Sequence, residues 1–315
     1  MRTMGHFQED KGRRSFQEAE SLCEYHFRRL GHCWHLYTPE DFEIIFSNED
    51  EFRAGMTLFA LCALSFPGIK VLTFEWMNNH LHATLAGEEK DIMLFFKKLS
   101  RLLERYLQSQ GRSISLRSWT CQLRLTGDLK DIRSVIAYNN RNGFLVNEME
   151  TPYTYPWGAN RFYFNRYAIK EHERSEARLK VRDIWTCFHT REFDNKAGLV
   201  MIDGYVSPLE CCRVQEAEAL FRDAHHYFHS ISRDTDGQRR AAKEFGDRIM
   251  YTDNELYTVV VNLCRTLYGV AAPSILPKDG KMDIARRMHF DYNASDKQII
   301  RFLKLEPGLL RKLFQ

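Results

Sequence analysis

The stretch that decides the fold comprises residues 71–85 and reads VLTFEWMNNHLHATL. Apolar and β-branched residues fill most of it, so it predicts either a pair of strands or one bent strand. Side chains alternate between the two faces of a strand, and His80 and His82 therefore project from the same face. The spacing predicts that these two imidazoles can bind one divalent metal ion together.

A lone His-x-His pair is a weak signal for a metal site. With 12 histidines in 315 residues, about 0.5 such pairs arise by chance. The flanking elements therefore matter: residues 34–37 predict a short strand, 51–64 a helix and 89–110 a long helix. The buried face of the long helix is formed by Ile92, Phe95, Phe96, Leu99, Leu102 and Tyr106. This order indicates an α+β fold, with helices packed on an antiparallel sheet.

Three basic residues of the long helix, Lys97, Arg101 and Arg105, recur every four residues on another face. Two interpretations stay open for this stripe. It contacts the phosphate backbone of a nucleic acid, or it is a solvated helix face. The formal net charge of the chain is only +3, so any nucleic-acid surface depends on local clustering of basic residues.

A second helix of interest is predicted to begin after Asp128, an N-cap residue, and to end at Gly143, a C′ residue. Its core-facing residues are Leu129, Ile132, Val135 and Ile136. Tyr138 lies about 200° around an ideal helix from Ile136. It therefore points off the apolar stripe, and it shares a face with Asn142.

These segments together resemble one enzyme family. Residues 74–85, FEWMNNHLHATL, are similar to the metal-binding strand of the single-tyrosine HUH transposases, which typically reads Met-Pro-Asn-His-hydrophobic-His. Residues 138–142, YNNRN, are similar to the tyrosine helix of the REP-associated tyrosine transposases, in which an asparagine follows the nucleophile by four residues. Residues 155–158, YPWG, are a looser match to Tyr-x-Trp-Ser. Several motifs in the right order are more specific than one.

The resemblance implies a ferredoxin-like antiparallel sheet with helices on one face, and a metal-dependent endonuclease that acts on single-stranded or hairpin DNA. It implies that Mg²⁺ or Mn²⁺ is held by His80, His82 and Asn142, and that Tyr138 is the nucleophile. The implied product is a 5′-phosphotyrosine link and a free 3′-hydroxyl, which permits strand transfer. A homodimer is one possible assembly.

The chain departs from the family pattern at three places. Asn78 stands for the usual proline, Gly143 for the proline after the helix asparagine, and Gly158-Ala159 for a serine pair. None of these changes removes a catalytic side chain, but they leave open a domesticated DNA-binding regulator that has lost cleavage activity. A metal-dependent phosphoesterase of another kind, with Tyr138 as a structural residue, is also open.

Two other histidine arrangements are weaker candidates. His82-Ala83-Thr84 matches the His-x-Thr element of two-histidine phosphoesterases, but the sequence has no second copy of that element. His225 and His229 have a helical spacing that can bind zinc. No third ligand is evident for them, which favours a surface or interface pair.

The chain divides into four predicted parts. Residues 1–31 form an N-terminal helical extension, and residues 32–167 form the nuclease and transposase domain. Residues 168–240 are predicted as a helical connecting region. Residues 241–315 are predicted as a helical DNA-binding domain.

The last part ends, over residues 295–314, in a predicted helix, short turn and helix, like the helix-turn-helix tails attached to some proteins of this family. Arg311 and Lys312 are predicted phosphate contacts there. The alternative is that the helix pair serves only as a scaffold within the protein and does not bind DNA. The predicted shared core consists of Ile299, Phe302, Leu303, Leu310 and Leu313.

The composition is that of an ordinary globular chain, with 44% hydrophobic residues. The 8 cysteines are scattered without a Cys-x-x-Cys motif, and no secretory segment begins the chain, so reduced thiols are expected. Charged residues break the apolar stretches before the roughly 18 residues that suggest a membrane helix. We therefore expect a cytoplasmic, bacterial-type protein associated with the nucleoid, without a membrane partner.

Overall fold

The computed structural model describes residues 15–39, 42–141, 154–193, 198–232, 253–290, 292, 294 and 296–314. Within these ranges the chain forms twelve α-helices, three short 3₁₀ turns, a four-stranded sheet and a three-stranded sheet. The α+β class and the antiparallel sheet predicted from the sequence are confirmed. No helix in these ranges has both the length and the apolar character needed to cross a membrane.

The larger sheet has the strand order β2-β3-β1-β4, and every neighbouring pair is antiparallel. Its strands are β1 (Cys33–Tyr37), β2 (Lys70–Trp76), β3 (Leu81–Ala86) and β4 (Gln122–Leu125). The stretch 71–85 is therefore a pair of strands. The connecting helices are α2 (Glu49–Leu64), between β1 and β2, and α3 (Glu89–Ser109), between β3 and β4. The resulting β-α-β-β-α-β order is that of ferredoxin-like units.

The face of this sheet that α2 and α3 cover is apolar. Phe74 of β2 stacks on Phe59 of α2, with 3.9 Å between ring centroids, and Phe59 meets Phe95 of α3 edge to face at 5.3 Å. Trp76 points the same way as Phe74, because strand residues two apart share a face. It stacks on Trp119 at 6.0 Å. This aromatic layer is the core that joins the two helices to the sheet.

The opposite face of the sheet is covered by α4 (Leu129–Asn139). The Asn139 amide donates a hydrogen bond to Thr84 of β3 at 2.9 Å, and Thr73 of β2 donates to Asn140 just beyond the helix. The apolar residues of α4 that are buried include Leu129, Ile132, Val135 and Ile136. They require a covering surface, and α2 and α3 already occupy the first face. Helices therefore lie on both faces, and the predicted arrangement with helices on one face was wrong.

The start of α4 agrees with the sequence analysis. The Asp128 side chain accepts a hydrogen bond from the backbone N–H of Asp131 at 2.7 Å, as an N-cap residue does. The helix extends to Asn139. Gly143, predicted to end it, lies outside the described residues.

The N-terminal helix, α1 (Phe16–Leu30), packs on α4. Ser15 and Glu18 form a capping box, because each side chain accepts from the backbone N–H of the other, at 3.2 and 2.8 Å. The Arg133 guanidinium of α4 donates to the Glu20 carboxylate of α1 at 2.6 Å. α1 thus forms a further layer outside α4.

The region after residue 165 mixes helices and strands, whereas the sequence predicted a helical connection over 168–240. The elements are α5 (Arg166–Arg174), β5 (Arg178–Leu179), α6 (Val181–Phe188), β6 (Leu199–Ile202), β7 (Tyr205–Val206), α7 (Val214–Glu218) and α8 (Ala224–Ser232). Asp203 and Gly204 join β6 to β7 with positive φ values of 52° and 86°. Such a two-residue turn is type I′, and Asp-Gly between apolar runs is its strongest sequence signal. This turn chemistry explains the strands.

β2 is an edge strand, and residues 157–159 cover its free side. The Trp76 N–H donates to the Trp157 carbonyl at 2.8 Å, and the Ala159 N–H donates to the Phe74 carbonyl at 3.0 Å. A Cβ added to Gly158 would lie 2.7 Å from the Phe74 carbonyl oxygen. Serine cannot fit at this contact without a shift, so the glycine in the YPWG motif has a structural reason.

The C-terminal part is helical. Its helices are α9 (Asp253–Tyr268), α10 (Lys278–Phe290), α11 (Asp296–Leu303) and α12 (Pro307–Phe314). The helix, turn and helix predicted over 295–314 are present as α11 and α12, which residues 304–306 connect. Among the predicted core residues, Ile299, Leu303 and Leu310 are buried.

The C-terminal helices contact the rest of the protein close to the His80-Leu81-His82 motif. Met77, in the loop from β2 to β3, and Tyr155 belong to the same hydrophobic cluster as the buried residues of α9 to α12. The Tyr155 hydroxyl also donates to the Trp76 carbonyl at 2.7 Å. The C-terminal part is therefore packed on the segment that leads into His80.

Phe59→Ala should destabilise the protein by about 3 to 5 kcal/mol, because it removes a fully buried ring from the aromatic layer and leaves a cavity. Urea unfolding followed by circular dichroism measures this change in the free energy of unfolding. Tyr167→Ala is the control, because Tyr167 is 86% exposed, and its effect should stay within about 0.5 kcal/mol. Equal effects of the two substitutions would contradict the assignment of the core.

Candidate active site

His80 and His82 lie side by side at the start of β3. Loop 77–80 joins β2 to β3, and His80 is its last residue. The two rings are perpendicular, with 5.0 Å between their centroids. Only 1% of His80 and none of His82 is exposed. Their neighbouring positions agree with the His-x-His spacing.

Tyr138 lies at the end of α4, and its ring meets His82. The ring centroids are 5.5 Å apart, and the ring planes are at 89°. The hydrogen bond from Asn139 to Thr84 fixes this part of α4 on β3. Tyr138 is only 4% exposed. The sequence placed this tyrosine off the apolar stripe of its helix, and the structure shows that the histidine face of the sheet buries it.

A third histidine, His35 of β1, belongs to the same cluster and was not predicted. Its Nε2 lies 3.2 Å from Nδ1 of His82. Its ring centroid is 5.4 Å from that of His82 and 6.1 Å from that of Tyr138. His35 pairs directly with Thr84 in the register of β1 and β3, so it faces the same side of the sheet. The only signal in the sequence is a histidine within a short apolar strand.

A carboxylate also faces this side of the sheet and was not predicted. Glu75 of β2 stands directly opposite His82 in the strand register, and it is fully buried. Directly paired residues of adjacent strands share a face. Glutamate is depleted in strands, so a glutamate inside the run VLTFEW was the signal that could have identified it.

Burial keeps the two central histidines neutral. Desolvation lowers the pKa of His82 to about 3. Desolvation also lowers the pKa of His35 well below its usual value, His82 and Arg124 lower it further, and the Asn139 side chain partly opposes the shift. Both imidazoles are therefore neutral near pH 7, and the neutral imidazole is the form that binds a metal ion.

The donor set of the two motif histidines fits a divalent metal ion. Nδ1 of His80 lies 2.8 Å from Oδ1 of Asn79, and Nδ1 of His82 meets His35. A metal ion would therefore bind through the Nε2 atoms, and a hydrogen bond on the other ring nitrogen is typical of metal-binding histidines. Nitrogen ligands suit Mn²⁺ better than Mg²⁺, because Mg²⁺ prefers oxygen ligands and retains its water.

The third metal ligand predicted from the sequence, Asn142, lies outside the described residues. Among the residues that the structure describes, no group of three or more His, Cys, Asp or Glu side chains is arranged to hold a metal ion. Asn142 would supply an amide, which is a ligand of another type. Its role stays a prediction.

The basic stripe of α3 lies on the other side of the sheet from Tyr138. The Arg101 guanidinium donates to both carboxylate oxygens of Glu192, at 2.7 and 2.8 Å, and Arg105 donates to the His189 carbonyl. Lys97 is exposed. Two of the three cations are thus bound within the protein, and DNA contact by this stripe stays a prediction.

The remaining residues singled out in the sequence lie far along the chain from the cluster. Arg311 and Lys312 belong to α12, and their side chains lie outside the described part of the protein. His225 and His229 are exposed on α8, with 6.4 Å between their ring centroids. Their exposed positions agree with the predicted surface or interface pair.

The chain matches no protein-family model, no curated protein and no solved structure. The resemblance to the REP-associated tyrosine transposases therefore depends on three sequence motifs. Two of these motifs meet in space, because α4 brings Tyr138 onto His82. The third, residues 155–158, covers the neighbouring edge of β2.

The free energy of unfolding should fall as the pH is lowered from about 6.5 to 5, because the unfolded chain gains protons on His35 and His82 that the folded chain excludes. This stabilisation is complete above the unfolded pKa of about 6.5 and is lost as the pH falls toward the folded pKa. His82→Gln should reduce the slope by up to about 1.4 kcal/mol per pH unit. Urea unfolding in metal-free buffer at several pH values measures this slope.

Thr84→Val is the matched control for the pH series. Thr84 is buried on the same face, but it carries no titratable group. The variant should keep the wild-type slope even if its stability is lower. An identical slope for His82→Gln and wild type would show that His82 is not held neutral by burial.

Proposed function

We propose that this protein is a metal-dependent endonuclease and strand transferase that acts on single-stranded or hairpin DNA through a tyrosine nucleophile. One observation carries the proposal: the Tyr138 ring lies 5.5 Å from His82, next to a cluster of neutral histidines. The two residues come from separate motifs and meet only through the packing of α4 on β3. A phenol beside metal-binding nitrogens suits nucleophilic attack on a phosphate.

Tyr138 forms the covalent bond in this proposal. Its phenolic oxygen attacks the scissile phosphorus, and the bond from phosphorus to the 3′ oxygen breaks. The DNA stays attached through a 5′-phosphotyrosine link, and the leaving strand has a free 3′-hydroxyl. Because the phosphodiester is exchanged rather than hydrolysed, a 3′-hydroxyl can attack the link later and rejoin the strands.

His80 and His82 would hold the metal ion through their Nε2 atoms, and the family resemblance adds the amide of Asn142. Mg²⁺ or Mn²⁺ bound there supplies Lewis-acid stabilisation of the phosphoryl oxygens. Asn79 supports the His80 ring at 2.8 Å from Nδ1. The neutral state of His82 supports the proposal, because protons then do not compete with the ion.

A single-stranded substrate fits the enclosed position of the nucleophile. Tyr138, His80 and His82 are each at most 4% exposed, so DNA reaches them only after some part of the protein moves. A single strand is narrower and more flexible than a duplex, and its bases can stack on protein side chains. A duplex would hold its scissile phosphate farther from a phenol on a helix.

The C-terminal helices supply a second DNA contact in the proposal. α11 and α12 form the kind of helix pair that docks on DNA, and α12 carries Arg311 and Lys312. The cluster that these helices build also includes Met77, three residues before His80. DNA held by the helix pair would therefore lie close to β3, the strand that carries His82.

A DNA-binding regulator that has lost cleavage activity is the second candidate, and the burial of the site favours it. The histidine and tyrosine side chains are as buried as core residues, and three motif positions depart from the family pattern. In this alternative the C-terminal helices bind DNA and the cluster only stabilises the fold. Covalent attachment of DNA distinguishes the two candidates.

Tyr138→Phe should abolish the formation of a covalent protein–DNA adduct, because the proposal assigns the attack to the Tyr138 hydroxyl, whose ring meets His82 at 5.5 Å. The loss should exceed the 10²- to 10⁴-fold effect of removing a general acid or base. The assay incubates the protein with labelled single-stranded hairpin DNA and Mn²⁺, denatures it and separates adducts by electrophoresis. Mass spectrometry of the wild-type adduct should locate the nucleotide on the peptide that contains Tyr138.

Tyr37→Phe is the matched control for this experiment. The Tyr37 ring lies 5.0 Å from that of His35, and its hydroxyl donates to Gln122 at 2.6 Å. Adduct formation should persist in this variant. A nucleotide on another residue, or an adduct in Tyr138→Phe, contradicts the role of Tyr138, and DNA binding by the wild type without any adduct supports the regulator.

The double variant Arg311→Gln, Lys312→Gln should bind DNA more weakly and with a smaller dependence on salt. Each lost phosphate contact lowers the slope of log K against log salt by about 0.7 to 0.9, so the pair should lower it by about 1.4 to 1.8. Fluorescence anisotropy measures the DNA affinity at salt concentrations between about 50 and 200 mM, and hence the slope. Substitution is preferable to deletion, because the C-terminal helices also bury Met77.

A matched control replaces a second pair of adjacent basic residues. Arg28 and Arg29 are exposed at the end of α1. Arg28→Gln, Arg29→Gln should leave the affinity and the salt slope unchanged. If both pairs change the slope equally, the contact is a diffuse charge effect and α12 has no particular role.

A further inference from the structure

We propose that His35 is a positioning residue, which holds His82 in the orientation and tautomer that metal binding requires. The inference rests on the proposed function, since it concerns the same metal site. His35 belongs to none of the motifs that suggested that function. It comes to the site from β1, through the pairing of β1 with β3.

The His35 side chain contacts Nδ1 of His82, the ring nitrogen that would not bind the metal ion. Nε2 of His35 lies 3.2 Å from Nδ1 of His82, and the two rings are nearly parallel, at 23°. Both residues are fully buried. β1 is hydrogen-bonded to β3 on one side and to β4 on the other, so His35 projects from an interior strand and its backbone is fixed from both sides.

The tautomer of His82 follows from this contact once a metal ion is to be bound. A neutral imidazole has one N–H donor and one acceptor nitrogen. Nε2 of His82 can bind a metal ion only when its proton is on Nδ1, and that proton then points at Nε2 of His35. His35 must therefore accept this hydrogen bond, with its own proton on Nδ1. In the reverse arrangement, the Nε2 of His82 carries a proton and cannot bind the ion.

His80 has a corresponding support, which shows the same principle at the neighbouring ligand. Oδ1 of Asn79, 2.8 Å from Nδ1 of His80, can only accept a hydrogen bond. The His80 proton is therefore on Nδ1, and its Nε2 carries the lone pair. Asn79 acts from the same loop, whereas His35 acts from another strand. Asn79 and His35 thus each hold a motif histidine at Nδ1, so that Nε2 is the nitrogen that would bind the ion.

The experiment measures Mn²⁺ affinity, using the electron paramagnetic resonance signal of free Mn²⁺ and the full chain. His35→Leu and His35→Met both replace the accepting Nε2 with apolar atoms. Two variants are made so that the test stands if either of them folds. Either should weaken Mn²⁺ binding by about 10- to 100-fold. His35→Gln, whose side-chain oxygen can accept from His82, should recover most of the affinity. Circular dichroism checks the fold of each variant.

Two further variants make the outcomes distinguishable. His82→Ala should abolish binding at the site, and His172→Leu should bind as the wild type does, because His172 contacts Ser207 at 2.9 Å and lies outside the cluster. Wild-type affinity in a folded His35→Leu or His35→Met, or no recovery in His35→Gln, overturns the positioning role and leaves the proposed function standing. No Mn²⁺ binding by the wild type, or unchanged binding by His82→Ala, overturns the metal site and both proposals.

Discussion

The packing of α4 on the polar face of the central sheet is the constraint on which the rest of the structure depends. Asn139 and Asn140, at its end, bond to side chains of β3 and β2. The same helix binds α1 through Arg133, and Asn140 donates to the Tyr227 hydroxyl of α8 at 2.8 Å. One short helix therefore fixes the N-terminal helix, the sheet and α8 relative to one another, and it holds Tyr138 at its last turn.

The two faces of the sheet differ in chemistry. Aromatic residues such as Phe74 and Trp76 fill the first face, where burial of apolar area stabilises the fold. The second face buries polar side chains, and each of these needs a partner to offset its desolvation. The polar side chains there include Thr73, Glu75, His82, Thr84 and His35.

Local patterns predicted most of the elements, whereas the contacts between elements needed the structure. Strand composition, helical periodicity and the Asp128 cap gave α3, α4 and the span of β2 and β3 to within a few residues, and left open whether 71–85 is one strand or two. The positions of His35 and Glu75 depend on strand register, which pairs β1 with β3 and β2 with β3 across separate parts of the chain. No periodicity encodes that register. The prediction of a helical region over 168–240 was wrong for another reason, because Asp203-Gly204 favours a two-residue hairpin turn.

Complete burial gives the histidine cluster both its chemical use and its thermodynamic cost. Because the pKa of His82 falls to about 3, its imidazole stays neutral at pH values where an exposed histidine would be partly charged. The same desolvation makes the cluster a weak point in acid. Apolar side chains of equal volume would remove that cost. Neutral nitrogen donors beside a phenol have the composition of a metal-assisted nucleophilic site, and in the proposed function this chemistry is what the buried polar face serves.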